Sequence, residues 1–120
     1  MMLVIVSITL LIHIFVCSNM IKMEPSLLAE RSDTAAGLLS AMANQSRLMI
    51  LCHLLNEELT VTQLAERVGL NQSPLSQHLS KLRALGLVKT RREGQSIHYR
   101  LASHEVEAVL ETLYSLYCAV

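Results

Sequence analysis

Two groups of residues in this 120-residue sequence have the types and spacing to do chemistry. The first is a run of amide, hydroxyl and imidazole side chains, Gln72, Ser73, Ser76, Gln77 and His78, extended by Ser80 and Lys81 and followed by the guanidinium groups of Arg91, Arg92 and Arg100. Amides and hydroxyls hydrogen-bond base edges, and Lys and Arg neutralise phosphates, so the run reads as a surface for nucleic acid. The second group is three thiols, Cys17, Cys52 and Cys118, at wide spacing with no Cys-x-x-Cys or Cys-x-Cys pair. Such spacing indicates neither a disulfide scaffold nor a zinc knuckle, and a reducing, cytoplasmic compartment is expected.

The polar run needs an element to present it, and the stretch LTVTQLAERVGLNQSPLSQHLSKLRALG from Leu59 to Gly86 provides one. Thr60 and Gln63 have the spacing of a capping box, so a helix is predicted from about Val61, and Gly69 ends it. Val61, Leu64, Ala65 and Val68 recur at helical spacing, and Leu70 plugs the turn that follows. Asn71 caps a second helix with Pro74 in its first turn, where a missing N–H costs nothing. Leu75, Leu79, Leu82 and Leu85 are expected to face inward, leaving Gln72, Ser73, Ser76, Gln77 and Lys81 outside, and Gly86 stops the helix. This is a helix-turn-helix.

A polar outer face alone also fits an ordinary solvated helix; the segment after it decides between the two. LVKTRRE and SIHYRLA, either side of Glu93, Gly94 and Gln95, read as a hairpin whose arms carry Arg91, Arg92 and Arg100 where they can touch DNA backbone or a minor groove. From Gln72 to Arg100 the cations Lys81, Arg83, Lys89, Arg91, Arg92 and Arg100 stand against the single acid Glu93, although the whole chain has a formal net charge of zero. A basic head on a neutral chain is sufficient, since phosphate attraction acts over about 10 Å at 0.1 M salt.

The remaining chain supports this head. Residues 1–22 form an apolar N-terminal extension without a basic leader or cleavage site, and three readings fit it: an anchor, an extra packed helix, or sequence translated upstream of a start at Met20 or Met23. The last is preferred, and the domain is expected over residues 23–120; a membrane partner enters only if the extension is translated and inserts. A helix is predicted from Pro25 to about Met42. Another follows from an Asn44 cap, with Leu48, Leu51, Cys52 and Leu55 toward a core, so that Cys52 is expected to be buried. Ser103 caps a final helix to about Cys118, with Val106, Val109, Leu110, Leu113 and Leu116 inward. The expected class is mainly α with a small β-hairpin wing.

With its segments SAMANQSRLMILCHL, LSQHLSKLRALGLV and TRREGQSIHYRL, this order of elements resembles the ArsR family of winged-helix repressors over roughly Ala35 to Cys118. The resemblance implies a homodimer joined through the first and last helices, a palindromic double-stranded DNA operator, recognition by the helix at Gln72–Leu85, and no cofactor. Many members sense metals through a Cys-x-Cys motif that is missing from LTVTQLAER here. His104, Glu105 and Glu107 could form a second kind of metal site, but charged residues at a helix start are ordinarily caps and solvated faces. Cys52 and Cys118 instead resemble the cysteine pair of the sulfide- and redox-responsive branch, which implies release of DNA when a disulfide or polysulfide bridge joins them. An ArsR-type regulator without thiol sensing, or a metal-responsive one, is the alternative. An enzyme using Cys52 with His53 is not expected, because helix neighbours point about 100° apart.

Overall fold

The structure is a computed structural model that describes residues 23–118; the apolar extension of residues 1–22, with Cys17 in it, lies outside the described residues. The chain divides into two units, one ending at Ala35 and the other running from Ala36 to the C-terminus. The helix expected over Pro25–Met42 is two helices, α1 (Pro25–Ala29) and α2 (Ser32–Met42). The break has a local cause. Pro25 starts α1 in its first turn, and the Ser32 hydroxyl bonds back to the Ala29 carbonyl at 2.9 Å, diverting a polar group into a turn.

From Ala36 onward the element order is the rest of α2, α3 (Gln45–His53), β1 (Leu59–Thr60), α4 (Val61–Val68), α5 (Gln72–Ala84), β2 (Val88–Glu93), β3 (Ser96–Leu101) and α6 (His104–Tyr117). Caps set most of these starts. The Asn44 side chain accepts from the Arg47 N–H at 3.0 Å, and the Ser103 hydroxyl accepts from the Val106 N–H at 3.2 Å. At α4 both halves of the capping box form: the Thr60 N–H donates to the Gln63 side chain at 2.9 Å and the Gln63 N–H to the Thr60 hydroxyl at 3.3 Å. Asn71 stands at the N-cap of α5 in extended backbone, but its side chain makes no capping bond.

One hydrophobic core joins all of these elements: Met42 of α2, Ile50 and Leu51 of α3, Leu54, Leu59, Leu64 of α4, Leu75, Leu79 and Leu82 of α5, Val88 of β2, and Val106 and Leu110 of α6. Arg47 secures the α2–α3 junction, its Nε donating to the Ala41 carbonyl at 2.6 Å and so satisfying a helix-end acceptor. Three expectations fail at the edges of this core. Leu85 is 52% exposed and Leu116 is 70% exposed, because Leu85 lies one helical step beyond Leu82 and Leu116 nearly two turns beyond Leu110, the last residues of their helices to reach the interior. Cys52 is exposed as well, since the buried positions of α3 are Ile50 and Leu51, with Leu54 just beyond, and Cys52 projects about 100° from Leu51.

The hairpin has the expected turn but not the expected strand count. Its arms pair antiparallel from Val88↔Leu101 to Glu93↔Ser96, and Gly94 has φ +62° between them. A third strand, β1, pairs with β3 through Leu59↔Tyr99 and Thr60↔His98, giving the order β1-β3-β2.

Candidate nucleic-acid interface

The sequence of α5 decides how its polar residues are displayed. Leu75, Leu79 and Leu82 are buried at four- and three-residue intervals, so Gln72, Ser73, Ser76, Gln77, Ser80 and Lys81 are all exposed. His78 is half-buried, at the flank of this surface. Gly69 sets the angle between α4 and α5: its φ of +75° is left-handed, which glycine adopts without steric cost, and its N–H donates to the Ala65 carbonyl at 2.9 Å. Leu70 is half-buried in the same turn.

The three wing arginines differ in their surroundings. Arg91 is held by two carboxylates, its Nε lying 3.2 Å from Glu58 and its Nη1 3.0 Å from Glu93. Arg92 folds back on the hairpin tip, donating to the Gly94 carbonyl at 3.2 Å. Arg100 is exposed, opposite Lys89 in the ladder. The Glu58 anchor was not legible in sequence, because it reaches Arg91 across 33 residues. Its neighbour Glu57 pairs with Arg67 of α4, so two consecutive acids tie the turn after α3 to the helix-turn-helix and to the wing.

The hydrogen bond from Arg91 holds the Glu58 carboxyl below the usual carboxylate range, with the positive charges of Arg91, Arg100 and His98 acting in the same direction. A depressed folded-state pKa stabilises the protein above the ordinary carboxylate range, and that contribution disappears as pH falls through the depressed value. Glu58→Gln should therefore lower the unfolding midpoint slightly near neutral pH, where the contribution is fully present, and the two proteins should converge as pH falls, giving the variant a shallower acid limb; the difference is small because exposed ion pairs contribute little. Unfolding midpoints of both proteins from neutral to acid pH check this; parallel acid limbs would show that the pair contributes nothing.

Both described cysteines are free and exposed. Cys52 lies in the last turn of α3 and Cys118 at the C-cap of α6. Among the described residues no group of three or more His, Cys, Asp or Glu side chains could hold a metal ion, and His104 Nδ1 lies 4.0 Å from the nearest Glu107 oxygen. No described helix is long and apolar enough to cross a membrane.

Residues 44–90, from the cap of α3 into β2, match the family model of bacterial regulatory proteins of the arsR family. The chain is 54% identical over 89 residues to the transcriptional activator HlyU of Vibrio cholerae, covering 74% of this chain and 82% of that protein. The reduced form of that HlyU superposes with a TM-score of 0.72 at 53% identity, over 76% of this chain and 96% of its own. The transcriptional repressor BigR of Xylella fastidiosa superposes with a TM-score of 0.77 at 35% identity, over 82% of this chain and all of BigR. A homodimeric winged helix-turn-helix DNA-binding domain from Mycobacterium bovis gives 0.65 at 34% identity, over 73% of this chain and 82% of its own. An exposed polar helix, an arginine-bearing hairpin and these likenesses converge: the chain belongs to the ArsR family and is a winged helix-turn-helix, DNA-binding transcriptional regulator, not an enzyme.

Proposed function

We propose that the protein is a repressor that binds a two-fold symmetric operator as a homodimer and releases it when a disulfide or polysulfide bridge joins Cys52 and Cys118 within one protomer. The observation that carries this reading is the setting of the two thiols: both are free and exposed, at the C-terminal ends of two helices, α3 and α6, that share one core with α5. A bridge that draws the end of α6 toward α3 would shift α3 against α4, and through the core the angle at which α5 is presented. The likeness to the repressor BigR supports repression, and the likeness to an HlyU described in a reduced form supports a thiol-dependent regulator. Exposed Tyr114, Leu116 and Tyr117 on α6, and exposed Leu39 on α2, support a dimer through these helices, since large apolar side chains left in water on one helix end favour an interaction surface. The test is mass spectrometry after treatment with a persulfide donor, read beside a DNA-binding titration of the same samples. Release accompanied by an intramolecular link between Cys52 and Cys118 is the expected result, and release without modification of either thiol would end the proposal.

DNA reading is assigned to α5 through Gln72, Ser73, Ser76, Gln77 and His78, and backbone contact to Lys81, Arg91, Arg92 and Arg100. Gln77→Ala should reduce discrimination between operator and random duplex by about 1–3 kcal/mol, the value of one good base contact. Arg92→Ala should weaken both duplexes alike and lower the salt slope by about 0.9. Titrations on both duplexes at several salt concentrations check this, and the opposite pattern would reverse the two assignments.

A further inference from the structure

The last turn of α5 and the root of the wing border an open surface cleft of about 350 Å³ lined by Arg83, Gly86, Val88, Lys89, Thr90 and Arg100. Three of these residues are cations and none is an acid. Lys89 and Arg100 stand directly opposite each other across the β2–β3 ladder, an arrangement in which like charges repel. Neither of them, nor Arg83, has a side-chain hydrogen bond or ion-pair partner among the described residues. Every other arginine from Arg47 onward has one: Arg47 on the Ala41 carbonyl, Arg67 on Glu57, Arg91 on Glu58 and Glu93, and Arg92 on the Gly94 carbonyl. A larger cleft of about 580 Å³ that Lys89 and Arg100 also border contains Glu57, Glu58 and Glu107, with the Arg100 charge acting on the Glu58 carboxyl, whereas the smaller cleft has no acid in its lining.

We propose that Arg83, Lys89 and Arg100 bind one phosphate diester of the DNA backbone at the root of the wing. This rests on the DNA reading proposed above, with α5 taken to enter a major groove and the wing to lie at the neighbouring minor groove. One sugar–phosphate strand separates those two grooves, and it must pass between the two elements that enter them, which is where the cleft lies. The carbonyl end of α5 carries about half a negative charge that would repel a phosphate. Three full positive charges outweigh it. Arg83 and Lys89, which the sequence counts only among the charges of the basic head, thereby gain a specific contact.

The test uses the full chain, a random-sequence duplex and, separately, inorganic phosphate. Arg83→Gln and Lys89→Gln should each lower the slope of log affinity against log salt by about 0.9, a loss of about eight-fold at 0.1 M salt, whereas Arg83→Lys and Lys89→Arg keep the wild-type slope. Unchanged thermal midpoints show that the variants are folded. Glutamine variants that bind DNA with the wild-type slope overturn the proposal, as does an equal loss in the charge-conserving variants, which would mark a packing role. If inorganic phosphate raises the midpoint of the wild type but not of the glutamine variants, while their DNA slopes stay unchanged, the cleft takes a free anion and the assignment to DNA fails. Failure of the DNA reading looks different: the wild type itself would show no salt-dependent DNA binding.

Discussion

Cys52→Ser and Cys118→Ser should each remain on operator DNA under a persulfide donor that weakens wild-type binding by about 5- to 150-fold, the usual range of a coupling free energy of about 1–3 kcal/mol. The switch needs two sulfurs, and removing either leaves the other able to react but unable to link. Both thiols are exposed, so neither is reserved as the resolving partner, and each single variant should trap a persulfide on its remaining cysteine. The burial expected for Cys52 from helix spacing would have made Cys118 the sole site of first attack, and its exposure removes that asymmetry. A direct disulfide requires Cα atoms within about 7 Å, whereas a longer sulfur chain spans more, so the wild-type product should carry added sulfur. Protein mass after trypsin digestion and DNA titration of the same samples decide the matter. If both variants release DNA normally, or if the added mass maps to Cys17, the thiol switch at Cys52 and Cys118 fails.

Leu64→Ala should cost about 2–5 kcal/mol of folding stability, a large share of the roughly 5–15 kcal/mol that holds a domain together. Leu64 is fully buried in the core that α4 shares with Leu75, Leu79 and Leu82 of α5, and truncation leaves a cavity that rigid helices collapse into only partly. Because that contact also sets how α5 is presented, DNA affinity should fall at temperatures where the variant is still folded. Leu85→Ala is the matched control, since Leu85 belongs to the same heptad-like pattern but is 52% exposed, and it should change stability by no more than about 0.5 kcal/mol. Chemical denaturation of both variants measures this. A cost for Leu85→Ala equal to that for Leu64→Ala would show that Leu85 is covered in the folded protein, as by a dimer partner.

What the sequence determined by itself is what residues three or four apart can settle. The caps at Asn44, Thr60 and Ser103, the turn at Gly69, the inward spacing of Leu75, Leu79 and Leu82 and the hairpin around Gly94 are all local, and the structure places them as the spacing predicts. Their energetics lie within one turn of helix or one pair of strands, so no distant partner can override them cheaply. Tertiary structure alone decided three other matters. A two-residue strand, Leu59–Thr60, exists only because β3 offers it an edge. Glu58 became the anchor of Arg91, and Arg83 came to line one cleft with Lys89 and Arg100, through placements that no periodicity encodes. Cys52 turned outward because the apolar stripe that begins at Leu48 in α3 and continues past its end to Leu55 is wide enough to be buried in more than one rotation, and the packing of α3 on the surrounding helices selected the one that buries Ile50 and Leu51. A helix specifies that it has an apolar side, while the neighbours it meets decide which residues at the margin of that side are covered.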